Sequence, residues 1–180
     1  GLGTRLVVHG NTAEQAGGGF LVLSASVVTL SLGARVDVIN NTAVTNSGGG
    51  LFLQDQNTGL DVDGTGTRLV IQGNSARNNG GGIIAQSASS VIISSGACVD
   101  VSNNTAVAFN GGGLYLHGQD SRLDVSGIDT RLLVQGNSAK QHGGGVAAFL
   151  ASSVVLSLSA RVDVIDNTAV TLAGGGIYLR

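Results

Sequence analysis

The chain has 180 residues, 30 of them glycine, and contains no proline, methionine or tryptophan. Charged residues make up 11% and the net charge is −2, so the basic stripe expected of a nucleic-acid-binding surface is missing. At 42% hydrophobic and 3% aromatic, the sequence can bury a core, but one of Val, Leu, Ile and Ala rather than of large rings. Cys98 is the only cysteine, so no disulfide can close within the chain and the redox compartment stays open.

In chain order, residues 4–11 (TRLVVHGN) alternate with period 2 and predict a first strand. Asn11 is followed by Thr-Ala and then by glycines 17–19. Residues 20–23 (FLVL) predict a second strand and 26–32 (SVVTLSL) a third. The pattern restarts at 34–41 (ARVDVINN) and passes through glycines 48–50 and LFLQ at 51–54. It ends in a shorter third strand at 59–64 (GLDVDG). Further copies follow, marked by Asn74, Asn104, Asn137 and Asn167, at spacings that alternate between 30 and 33 residues. Two half-units of about 31 residues therefore make a unit of 63, beginning at Gly1, Gly64 and Gly127. The copies run 1–63, 64–126 and an incomplete 127–180, which reads as one solenoid segment of a longer array.

Strand signals without a helical period, repeated six times, predict an all-β parallel β-helix of about six coils with three strands per coil. Each strand would pair with its counterpart about 4.8 Å above and below. Alternation turns Leu6, Val8, Val28, Leu30, Val36, Val38, Leu51, Leu53, Leu60 and Val62 inward, and their copies are also aliphatic. A slip of one residue would reverse every face, so the register is well specified. The uncharged stretch 141–160 carries three glycines and alternates, unlike a membrane-spanning helix.

Several columns follow from this stacking. Asn11, Asn41, Asn74, Asn104, Asn137 and Asn167 are expected to form an inward structural ladder of amides, each bonded to the next. The glycine triplets read as corners, because neither a P-loop lysine nor the calcium-binding Asp spacing follows them. Arg5, Arg35, Arg68, Arg131 and Arg161, with Cys98 in the same column, form an outward strip. The strip is either a site for anionic ligands or a ladder neutralised by Asp37, Asp100 and Asp163. Leu21, Phe52, Ile84, Tyr115, Ala147 and Tyr178 form an outward apolar column. It is a candidate contact surface unless a turn of the same coil covers it. Asn40 and Asn103 head N-x-Thr sequons and are candidate glycosylation sites. His9, His117 and His142 fall at three different coil positions and are not expected to converge. No catalytic, cofactor or metal constellation is read, and the chain is expected not to be an enzyme.

The aliphatic-x-x-Asn motif followed by Gly-Gly-Gly-aliphatic resembles the paired FxxN and GGA[ILV] motifs of the polymorphic outer membrane protein repeats. Those are known from chlamydial surface proteins. GGGLYL at 111–116 and GGGIYL at 174–179 match best, with Val or Ile in place of Phe and a third Gly in place of Ala. The resemblance implies a right-handed parallel β-helix displayed at a cell surface and used in adhesion. The expected role is thus a rigid segment of an extracellular fibre or surface adhesin. Its partners would be copies of itself, end to end or side by side, or a cell-surface glycan. A carbohydrate-binding or carbohydrate-cleaving β-helix and an ice-binding solenoid are the alternatives.

Overall fold

The computed structural model describes residues 3–180, so Gly1, where the first double repeat begins, lies outside the described residues. All strands pair in parallel with their counterparts in neighbouring coils, and the described residues contain no helix. No helix is therefore long and apolar enough to cross a membrane. Like residue lies on like along the axis: Arg5 pairs with Arg35, Val38 with Ile71, and Leu116 with Ala85 and Ala148. The fold is a β-solenoid of six coils.

Each of the first five coils has four strands where three were expected, and the sixth has three among the described residues. The Arg strand comes first (Arg5–His9, Arg35–Ile39 and so on). The post-glycine strand (Phe20–Val22, Leu51–Gln54) and the fourth strand (Val27–Leu30, Gly59–Asp63) lie close to their expected bounds. The additional strand is the Thr-Ala or Ser-Ala pair after each ladder asparagine, such as Thr42–Ala43 and Ser75–Ala76. Two residues are too few to show a period of 2, which is why alternation does not reveal this strand. Coil-to-coil bonds create it: the Thr42 N–H donates to the Asn11 carbonyl and Thr105 to that of Asn74, both at 2.9 Å. Three sheets have six strands and the fourth sheet has five.

Side chains from the three sheets of longer strands, the five-stranded one included, fill one core. Val38, Leu53, Ile71, Ile93, Val101 and Leu116 are fully buried in it. Leu6 shares the inward face of its partner Val36 yet is 47% exposed, because only one described coil covers it.

At the corner between the first two strands, the asparagines form a continuous file. Asn41 Nδ2 donates to Asn74 Oδ1 at 3.0 Å and to the Val8 carbonyl at 2.9 Å, while the Asn41 N–H donates to the same Asn74 Oδ1. The pattern repeats at Asn74, Asn104 and Asn137. The carbonyl acceptor is always the aliphatic residue of the aliphatic-x-x-Asn motif in the preceding coil. Every interior amide thus uses both its protons and accepts two bonds, which is what burial of a polar group requires.

The residue before each ladder asparagine is left-handed in all six coils: Gly10, Asn40, Gly73, Asn103, Gly136 and Asp166, with φ between +54° and +69°. Gly, Asn and Asp are the residues that tolerate this conformation. The sequon asparagines therefore have a backbone reason to be where they are. Asn40 also lies over Gly73, where an added Cβ would strike the Asn40 side-chain oxygen.

In the glycine triplets the constraint is steric. The middle glycine faces the two-residue strand of the next coil: a Cβ on Gly81 would fall 2.5 Å from the backbone N, C and O of Thr105. The first glycine adds the left-handed turn, as at Gly48 with φ +70°.

The ladder makes a quantitative expectation. Asn104→Ala would orphan two donors of Asn74, the Ile71 carbonyl and one acceptor site on Asn137. At about 1–3 kcal/mol per buried unsatisfied group, some of it relieved by water, the loss should be on the order of 3–6 kcal/mol. Asn11→Ala, at an exposed end of the file, should cost much less. Urea unfolding of both variants checks this, and equal losses would contradict the ladder's role.

Candidate functional site

The Arg strip follows the sheet register, with Cys98 paired to Arg68 on one side and Arg131 on the other. Like charges stacked at strand spacing repel, and the aspartates two residues on relieve this. Asp37 accepts from Arg5 Nη2 at 2.8 Å and Nε at 3.1 Å, and from Arg35 Nε at 3.0 Å. Asp163 is held in the same way by Arg131 at 3.2 Å and Arg161 at 2.9 Å. Four of the five strip arginines are therefore engaged by carboxylates, and Arg68 is the exception among the described residues. The Asp37 side chain is only 1% exposed. Burial by itself would raise its pKa, but the hydrogen bonds and charges of Arg5 and Arg35 outweigh that and hold it below its ordinary value of 3.8.

The apolar column is in register from Leu21 through Phe52, Ile84, Tyr115 and Ala147 to Tyr178. Its expected role as a contact surface is corrected by burial: Phe52, Ile84, Tyr115 and Ala147 form a second core cluster outside the sheet. Only Leu21, at 53%, is largely exposed, and Tyr178 is half-buried. The cover is the excursion between the two-residue strand and the glycine triplet. A Cβ on Gly48 would come within 2.8 Å of the Phe52 Cβ, and Ala16 packs against the cluster.

A second polar ladder runs along this cover through Ser47, Asn79, Asn110 and His142. The Asn79 N–H donates to Ser47 Oγ at 3.2 Å, and the Asn110 N–H to Asn79 Oδ1 at 3.0 Å. The His142 N–H then donates to Asn110 Oδ1 at 3.2 Å, and the Ala173 N–H to His142 Nδ1 at 3.3 Å. Each bond points to the preceding coil, opposite to the inner file. Its residue types change from coil to coil, so repetition in the sequence does not announce it. Accepting at Nδ1 places the proton of neutral His142 on Nε2.

The last three coils gather aromatic rings on this face. Ring centroids lie 5.7 Å apart for Tyr115 and Phe149, 5.2 Å for Phe149 and Tyr178, and 4.1 Å for the stacked His142 and Tyr178. His117 stacks on Tyr115 at 5.8 Å. Two of the three histidines thus meet one aromatic cluster, contrary to expectation, because the covering excursion carries His142 back over the sheet that bears His117. His9 lies elsewhere, 3.5 Å from Asn40 Nδ2. Beside the cluster is an open groove of about 420 Å³ lined by Tyr115, His117, Phe149, Leu150, Ala151 and Arg180. Burial pushes the Tyr115 phenol above its ordinary pKa of 10.0.

Asn40 and Asn103 are exposed, 63 residues apart along one corner. Among the described residues no three His, Cys, Asp or Glu side chains are grouped to hold a metal ion. The glycine triplets are packed against the next coil and present no phosphate cradle. Comparison of the chain with protein-family models, curated proteins and solved structures found no match.

Two outcomes follow. Asp37 has a depressed pKa, so its ionised form stabilises the fold above the ordinary carboxyl range, and this is lost as pH falls through the folded value. Asp37→Asn should therefore be less stable than the parent at neutral pH and converge with it in acid; a parallel offset at all pH values would contradict the ion-pair account. Tyr115→Ser should open a cavity under the cover and cost about 2–4 kcal/mol in urea unfolding, by analogy with other aromatic truncations. An unchanged midpoint would mean that the column is not packed.

Proposed function

We propose that the chain is a structural segment of an extracellular fibre or cell-surface adhesin, a rigid rod that holds contact surfaces away from the cell. The observation that carries this reading is the unbroken inner file of asparagines through all six coils. A backbone closed along its whole length by fully bonded amides resists bending and proteolysis, as a stalk must. The resemblance to polymorphic outer membrane protein repeats supports the same reading, as do sequons at exposed corners, where glycans on Asn40 and Asn103 would not disturb the core. Immunogold labelling of intact, unpermeabilised cells should place the chain on outward projections. Labelling confined to the cell interior would end this reading.

The aromatic and histidine groove favours a second reading, carbohydrate binding, since ring faces beside His117 and Arg180 donors suit a sugar. A glycan array separates it from the purely mechanical role. The fourth sheet's outward column reads Thr29, Asp61, Ile92, Asp124 and Val155, so the regular threonine file of an ice-binding face does not form there.

A further inference from the structure

The three double repeats differ at one place on the Arg strip. Arg35, Cys98 and Arg161 are equivalent positions, and so are Asp37, Asp100 and Asp163. In the first repeat Arg35 Nε donates to both oxygens of Asp37, at 3.0 and 3.1 Å. In the third, Arg161 Nε does the same to Asp163, at 3.0 and 2.9 Å. In the second, Cys98 stands where the arginine would be, and Asp100 Oδ1 is buried without a hydrogen-bond partner. The short side chain leaves a surface notch of about 160 Å³ lined by Arg68, Cys98, Val99, Asp100, Arg131 and Leu133.

We propose that this notch is a binding site for a guanidinium group, the side chain of an arginine presented by a partner protein. The occupant's chemistry is given by the two neighbouring repeats, which both place a guanidinium there from within the chain. A planar fork of donors matches a carboxylate that still has a free oxygen, whereas a lysine ammonium would act as a point charge. The flanking Arg68 and Arg131 do not forbid this. Asp37 likewise sits in a column with Arg5, Arg35 and Arg68 and is bonded by the first two, so a carboxylate of the strip is held by the arginine of its own coil even where arginines stand in both neighbouring coils. An anion bound between Arg68 and Arg131 would leave Asp100 Oδ1 unsatisfied and add a like charge beside it. The site therefore selects a cation, opposite in sign to the ligand that a column of arginines suggests.

The test is titration of the chain with N-acetyl-arginine amide, followed by amide NMR, with the neutral citrulline analogue as control. Saturable shifts centred on Cys98 to Asp100 are expected with the arginine compound and not with citrulline. Asp100→Asn should weaken binding at least about tenfold, the loss of one charge-assisted contact. Cys98→Arg, which supplies the missing side chain, should abolish it; if that variant does not fold, Cys98→Leu fills the notch without charge and should do the same. Shifts that do not saturate, equal binding by citrulline, undiminished binding by the filled variants, or saturable binding of inorganic phosphate instead would each overturn the proposal.

Discussion

The stacked asparagine amides are the constraint from which the rest of this structure follows. A buried amide whose protons go to the coil below and the coil above, and whose oxygen takes two bonds in return, fixes the height of each coil relative to its neighbours. Once that height is set, every strand meets its own copy, and aliphatic side chains land on aliphatic side chains. The coil may then vary in length by three residues between alternate half-units without loss of register, because the extra residues fall in turns away from the ladder corner. Thr67 and Thr130 show how such turns are closed: their hydroxyls accept the N–H of Gly33 and Gly96 in the preceding coil, where the other half-units carry alanine.

Glycine serves the same geometry from the other side. The triplet lies against the asparagine corner of the next coil and can approach it only if no Cβ intervenes: the middle glycine meets the backbone of the two-residue strand and the third lies beside the ladder amide. That close approach lets the excursion before the triplet fold back over the post-glycine sheet. It is also what turns an apparently outward apolar column into a second buried layer. The outer ladder through Ser47, Asn79, Asn110 and His142 then ties this cover together coil by coil.

Much of this was legible in the sequence, for reasons of period. Two-residue alternation assigned Val36, Val38, Leu51 and Leu53 to the core, and the spacing of Asn41, Asn74 and Asn104 placed them in one file. The same alternation put Arg35 and Asp37 on one face, so their pairing could be anticipated. The parts that escaped have no period to read. A strand of two residues cannot alternate, and the outer ladder is built from chemically different side chains doing one job. Burial of Phe52 and Ile84 depends on a loop whose path no pattern of polarity specifies. The meeting of His117 and His142 escaped for the same reason, since they reach one cluster from different points of the coil.

Because the inner file and the backbone pairs close the rod by themselves, the outward columns are released from any structural duty to be uniform. Their side chains still pack and pair, as Tyr115 and Asp37 do, but the residue types change from repeat to repeat, and those differences are where specificity can accumulate. Two such departures are present, on different sheets: the aromatic and histidine cluster of the last three coils, and the missing arginine at Cys98. The first sets His117 and Phe149 where earlier coils carry Gln54 and Gln86, whereas the second removes a side chain that its equivalents retain. An unfilled place whose two equivalents are both ion-paired is the more informative of the two, since the intact copies on either side state what it lacks. A repetitive scaffold in this way supplies its own reference for reading a single altered site.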